Sequence, residues 1–388
     1  MPLRDEWCDL ARKLDWSFSY AEERQVYPEA LSGTPWMLNV TSSCADSSVI
    51  GNALDRGDGT IRARGEDVLG LEAVLADGSI LTTGGLTSDG RYRGQIAGPD
   101  LTQAIVQSNL AVVTAAVVAL IARPQSVRLC HATYPRGAAL AALDALASLV
   151  GTVPGLGTPR LRDLHLAGST ARTEWDSLSV LIPVLGEETV VDVVTKVVVE
   201  RFAAVDGAAV IRCLDPESTP PDDPLYLRTM LAQGIPTCQL VRQALGSDSC
   251  DVDRDAAAGL LIALPLIPLD RTSPREALAA LEELARDYPG TAVLELNVAT
   301  THTARAIVGI TFDRASAEQA RRAHALRDGV WQAFAGRMYR ADIDHATDAL
   351  RGPDDAANAA ILDALKTALD PRDILLPGRF LASQGARP

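Results

Sequence analysis

Tyr339 and Arg340 are adjacent in the chain, directly after the last long predicted helix, and put a phenol and a guanidinium side by side. A guanidinium lowers the pKa of a nearby phenol and stabilises an oxyanion, so the pair could meet an anion. The plainer reading of the same residues is a surface arginine and a half-buried tyrosine. Asp46 sits in the serine-rich run 42–48, where a carboxylate serves either as a base or as the cap of a turn. No G-x-G-x-x-G, Walker loop, H-E-x-x-H or G-x-S-x-G occurs, which removes nicotinamide-Rossmann, NTPase, zincin and α/β-hydrolase readings. None of His131, His165, His302, His324 or His345 has a glutamate three residues before it, so no di-iron site and no other metal site is expected.

The elements that must position these residues follow from hydrophobic periodicity. An Asp77-Gly78 turn joins the short apolar runs 71–75 and 80–83 as a hairpin. Residues 101–107 read as a short helix and 111–121 as a β-rich run ended by Arg123-Pro124. From residue 126 onward, strands (127–133, 177–185, 259–265, 291–298, 304–312) alternate with amphipathic helices (136–150, 188–205, 274–287, 316–334). The valine-rich face of 188–205 is expected to point inward, and 215–224, rich in proline and acids, is expected to run over the surface. Such an order gives an α+β fold, an antiparallel sheet covered by helices on one face.

Three segments, 47–57 with its Gly51-Asn52 and Arg56-Gly57, 70–78, and 369–379, carry a resemblance. They resemble the FAD-linked oxidases of the vanillyl-alcohol-oxidase and p-cresol-methylhydroxylase type. That resemblance implies that the first segment lies against the flavin, the second is a strand and turn of the FAD-binding domain, and the third closes the chain. It further implies that Tyr339 and Arg340 clamp a substrate phenolate while hydride leaves a benzylic carbon for flavin N5, with Asp46 as a base near N5. Ser48, Ile50, Gly51, Asn52, Arg56, Gly57 and Arg379 would then contact the cofactor. Some relatives attach FAD covalently through a histidine just before a strand that matches 307–312. Arg305-Ala306 stand there instead, so non-covalent FAD is expected. Upstream of Ser47 the sole glycine is Gly33, so no diphosphate-binding loop is expected, and FAD should bind weakly or not at all.

The leading segment, through about residue 33, is similar to the start of the large subunit of toluene and phenol monooxygenases, and reads as a docking arm. The expected organisation is thus an N-terminal arm (1–34), a truncated FAD-binding domain (35–124), a cap or substrate domain (125–337) and a C-terminal return to the FAD domain (338–388). The function expected is oxidation of a phenolic or other aromatic substrate by hydride transfer to FAD. Alternatives are a flavin-less binding or scaffolding subunit and a cofactor-free lyase or cyclase.

With 388 residues, 47% of them hydrophobic, the chain can bury a sizeable core and suggests two domains. The net charge of −14 argues against nucleic acid and anionic membranes as partners. The six cysteines form no C-x-x-C pair and read as free buried thiols. The most apolar run, 110–122, is too short to span a bilayer and no leader is evident, so a cytoplasmic location is expected. The expected partners are a small aromatic molecule, a protein docked through 1–33, and a second copy of the chain in a homodimer.

Overall fold

The computed structural model describes residues 17–20, 31, 33–42, 47–94, 97–166, 177–247, 256–342, 344–345 and 356–379. Two large antiparallel sheets and a two-stranded one organise them. The first half contains β1 (Ser17–Tyr20), β2 (Trp36–Met37), α1 (Val49–Leu54), β3 (Val68–Val74), β4 (Ile80–Thr82), α2 (Thr102–Ile105), β5 (Val112–Val118) and β6 (Ile121–Ala122). Its four-stranded sheet runs β1-β5-β3-β4. The β3–β4 hairpin forms where expected, with Gly78 at φ +86° and Asp77 Oδ1 accepting from the Ser79 amide at 2.9 Å. Period-two alternation sends Leu71, Ala73, Ala116 and Val118 to one face, where they meet Ile50 and Ala53 of α1.

Two expectations change here. The helix expected over 101–107 shortens to Thr102–Ile105, because Gln107 takes φ +59° and cannot continue a helix. Residues 17–20 of the expected docking arm pair with 115–118 of β5 in this chain's own sheet. An otherwise open β5 edge gains partners that way, and those four residues are not a free arm.

The second half contains β7 (Ser126–Pro135), α3 (Ala139–Val150), β8 (Arg160–His165), β9 (Ser177–Gly186), α4 (Glu188–Ala203), β10 (Val210–Leu214), α5 (Tyr226–Ala232), α6 (Gln239–Leu245), β11 (Ala258–Ala263), β12 (Leu266–Pro268), α7 (Ser273–Ala285), β13 (Thr291–Val298), β14 (Thr303–Asp313), α8 (Ala317–Ala333) and α9 (Ala356–Leu369). Its sheet runs β10-β7-β9-β8-β13-β14-β11, with β12 also beside β14. In β14, Ala304, Ala306, Val308 and Ile310 are fully buried and join one large core with Leu146 of α3, Val198 of α4, Leu281 of α7 and Val330 of α8. The helices therefore cover one face, and the alternate residues face the other way. Following the strand registers, Arg212, His131, Leu181, Arg160, Asn297 and Arg305 form one row across that opposite face.

The valines of α4 do not all point inward. Val191, Val194 and Val198 are buried, whereas Val190, Val193 and Val197 lie on the opposite stripe and are exposed, as 100° per residue requires. The cysteine expectation also changes. Among the described cysteines, Cys238 is disulfide-bonded, Cys213 is exposed, and Cys130 alone fits the reading of a free buried thiol. Cross-strand pairing sets Cys213 Sγ 3.5 Å from Cys130 Sγ.

Helix α9 ties the end of the chain to the first half through one buried lysine. Lys366 Nζ donates to Asn109 O (2.9 Å), Asp370 Oδ2 (2.7 Å) and Leu375 O (2.7 Å). All three ammonium protons are thus satisfied, which is what allows a lysine to be buried. Among the described residues no helix is long and apolar enough to cross a membrane.

Candidate active site

The site begins with the loop after α1. Asn39 is fully buried beneath it, donating to Arg62 O (2.9 Å) and Asp67 Oδ2 (2.9 Å) and accepting from the Ile61 amide (3.0 Å). Asp67 in turn pairs with Arg62 Nε at 2.7 Å and Arg64 Nε at 3.6 Å. Glycines let these side chains approach: a Cβ on Gly57 would lie 2.4 Å from Asn52 Oδ1, and one on Gly59 would lie 2.1 Å from Asn39 Oδ1. These contacts fix the path of the loop, and it presents Asp55, Arg56 and Asp58.

Tyr339 and Arg340 arrive from the other half. The Tyr339 amide donates to Leu264 O (3.1 Å) and its carbonyl accepts from Gln107 Nε2 (2.9 Å), so the dipeptide is held from both sides. Asp58 gathers three groups: Arg305 ion-pairs with it, Asn297 Nδ2 donates to it at 3.1 Å, and the Tyr339 hydroxyl donates at 3.4 Å. The Arg305 guanidinium lies 5.6 Å from the centre of the Tyr339 ring. Burial first, then the Asp58 charge, push the Tyr339 phenol well above its ordinary value. Tyr339 is therefore a neutral hydrogen-bond donor at physiological pH, not a base.

Arg340 ion-pairs through Nε with Asp55. Burial raises the Asp55 carboxyl above its usual range, against the opposing charges of Arg340 and, more weakly, Arg379. Asp342, the neighbour that sequence proximity favours as a neutralising acid, instead accepts from Trp331 Nε1 (3.1 Å) and lies 3.7 Å from Arg327 Nε. Beside these groups is a cavity of about 530 Å³ whose lining includes Arg56, Gln107, Arg305, Tyr339 and Arg340, with Val106, Leu110 and Leu266 as apolar walls. That volume suits a small organic ligand.

The structure thus brings together Tyr339, Arg340, Arg56 and Arg379 of the residues expected from sequence. The others have different surroundings. Ser48 caps α1, its Oγ accepting from the Gly51 amide at 3.0 Å; Ile50 is in the core; Gly51 is exposed; Asn52 packs on the buried Gly57. Asp46 lies outside the described residues. Asp55, Asp58, Asn297 and Arg305 were not anticipated. Alternation of polar with apolar residues in β13 and β14 was legible, yet it normally marks a solvent face, and nothing local reveals that the loop 55–63 covers it.

The fold is that of the FAD-linked oxidases of the vanillyl-alcohol-oxidase and p-cresol-methylhydroxylase type, α+β with antiparallel sheets. Among solved structures, p-cresol methylhydroxylase with substrate bound superimposes with a TM-score of 0.78 at 20% identity, covering 94% of this chain and 75% of that one. The 4-ethylphenol oxidase from Gulosibacter chungangensis, in its isoeugenol complex, gives 0.77 at 20% identity, covering 95% and 76%. Berberine bridge enzyme from Eschscholzia californica gives 0.60 at 12% identity, covering 95% and 78%. By sequence the chain is 25% identical to the 1'-carboxy-chondrochloren decarboxylase of Chondromyces crocatus over 417 residues, which covers 90% of this chain and 74% of that protein. No family model matches.

Proposed function

We propose that the chain is a FAD-linked oxidoreductase acting on a small anionic aromatic molecule, with the cavity beside Tyr339 and Arg340 as the substrate site. The observation that carries this is the placement of a phenol donor and an arginine cluster on one apolar-walled cavity of ligand size. Three cations that line the cavity, Arg56, Arg305 and Arg340, face two acids, Asp55 and Asp58, and the surplus favours an anion.

FAD fits in part. Arg56 has no ion-pair partner among the described residues, and with Arg379 it would hold the acidic phosphates. The glycines of 47–57 offer no bare bed, since the space over Gly57 is filled by Asn52. When bound, FAD supplies the hydride acceptor. The chain's own residues bind and orient the substrate. Arg340 meets Asp55 through Nε, and its other guanidinium N–H groups, which have no partner among the described residues, can serve a phenolate or carboxylate. The 3.4 Å bond from Tyr339 to Asp58 is long, so a closer substrate oxyanion takes over that donor. Holding the oxyanion in a cavity with apolar walls favours hydride loss from the benzylic carbon.

Decarboxylation of an aromatic acid in the same cavity is the second reading, supported by the Chondromyces crocatus relative and by the same arginines, which suit a carboxylate. We propose a small-molecule substrate as the principal partner; docking of another protein through 1–33 and a homodimer stay proposals. So does a cytoplasmic location, against which the Cys238 disulfide weighs, because disulfides persist chiefly in oxidising compartments. The test is anaerobic mixing of the FAD-loaded protein with a 4-alkylphenol. Bleaching of flavin absorbance supports oxidation, release of carbon dioxide from a 4-hydroxyaryl acid without bleaching favours the second reading, and neither result with bound FAD defeats both.

A further inference from the structure

Two thiols face each other at the edge of the large sheet, five strand spacings, roughly 24 Å, from Arg305 on β14. Cys213 of β10 and Cys130 of β7 are register partners, so their side chains leave the sheet on the same face, and their sulfurs lie 3.5 Å apart. Strand β10 is the last on that side and pairs with β7 alone. Cys213 is exposed there, while Cys130 is fully buried in the large core. Neither sulfur belongs to the Cys238 disulfide. Directly opposed residues of an antiparallel pair have Cα atoms about 4.5–5.5 Å apart, inside the range of about 4.4–6.8 Å that a disulfide bridges. A turn of the exposed Cys213 side chain therefore suffices to join the sulfurs.

The two thiols differ in reactivity. The hydrogen bond from Cys130 holds the Cys213 thiol below its ordinary value, helped more weakly by the Arg128 charge and opposed by burial; the same bond, together with burial, raises Cys130. Cys213 is thus both the accessible thiol and the better thiolate. We propose that Cys213 and Cys130 form a reversible redox site, oxidised by a hydroperoxide to an intramolecular disulfide that fastens edge strand β10 to β7. Cys213 Sγ attacks one peroxide oxygen, the O–O bond breaks, and the other oxygen leaves as water or an alcohol. Cys130 Sγ then attacks the sulfur of the Cys213 sulfenic acid, the S–O bond breaks, and water leaves. Two thiols lose two electrons and two protons, and the hydroperoxide takes them up. The bond closes a loop between residues 83 apart in the chain, and its formation depends neither on FAD nor on the Tyr339 cavity.

The test is peptide mass mapping of the full chain, reduced with dithiothreitol, freed of it, exposed to hydrogen peroxide and alkylated under denaturing conditions. A linked pair of peptides carrying Cys130 and Cys213 is expected, and it should be lost again on reduction. Oxidised wild type should melt a few degrees above oxidised Cys213→Ser, a comparison in which the Cys238 disulfide cancels. Cys130→Ser should stop at a sulfenic acid on Cys213 that dimedone traps; if the buried serine keeps that variant from folding, the wild type and Cys213→Ser decide. Both thiols still alkylated after peroxide, Cys213 linked to some other cysteine, or no gain in melting temperature over oxidised Cys213→Ser overturns the proposal.

Discussion

Asp58→Asn is the perturbation that bears most directly on how the candidate site is held. The Asp58 side chain is 8% exposed and its Arg305 partner 18% exposed, so the variant leaves a largely buried guanidinium without its counter-ion. Breaking a fully buried pair costs about 3–5 kcal/mol; discounted for residual solvent at Arg305 and for the hydrogen bonds that asparagine keeps, about 2–3 kcal/mol is expected. In urea this corresponds to a midpoint lower by about 1 M. Arg305→Met alone should cost a similar amount, and the double variant should recover much of it, giving a coupling energy of about 1.5–3 kcal/mol. Loss of the Asp58 charge also removes one of the two main causes of the raised Tyr339 phenol, so ultraviolet titration should show one tyrosine ionising at lower pH than in the wild type. Additive single-variant costs, within about 0.5 kcal/mol, would refute the reasoning by showing that the pair does not act as a unit.

Gly57→Ala and Gly59→Ala should each destabilise the protein by about 1–3 kcal/mol without any cofactor present, because the new methyl group meets Asn52 or Asn39. Thermal denaturation without FAD checks this; losses seen only with FAD present would mean the glycines serve the cofactor instead. Lys366→Met should cost about 3 kcal/mol by leaving Asp370 buried without its cation, and limited proteolysis should cut the chain near α9 first. Arg162 and Arg160 ion-pair with Glu295 and hold its folded value below 4.5 despite burial, so its contribution is fully present above about pH 4.5 and is lost as pH falls through the lower folded value. Denaturation between pH 3 and 6 should show that slope in the wild type and a flatter one in Glu295→Gln.

The sequence showed the β3–β4 hairpin and the alternation of β9, β13 and β14 with α3, α4, α7 and α8, because each buries one face and its apolar period is visible locally. Strand β8 was missed: Arg160, Arg162 and Asp163 alternate with two leucines in only six residues, a pattern that reads as a polar loop unless its partners are known. Helix α9 was missed because it carries a buried lysine whose acceptors, Asn109 and Leu375, come from elsewhere in the chain. At the site, Tyr339 and Arg340 stood out as a dipeptide, and the resemblance added Arg56 and Arg379. Asp55 and Asp58 did not stand out, since an aspartate in a glycine-bearing turn has a local explanation. Their role comes from long-range pairing with Arg340 and Arg305, which no local spacing encodes.

The central claim is that the cavity beside Tyr339 and Arg340 binds an anionic aromatic molecule for oxidation by FAD. Its most direct test is an anaerobic spectral titration of the FAD-loaded protein with a 4-alkylphenol, for wild type and Arg340→Met side by side. The account predicts flavin reduction in the wild type, with the apparent affinity for the phenol lowered about 10- to 100-fold in Arg340→Met, as loss of a charge-assisted contact to the phenolate requires. Equal reduction in both proteins at the same phenol concentration would contradict it.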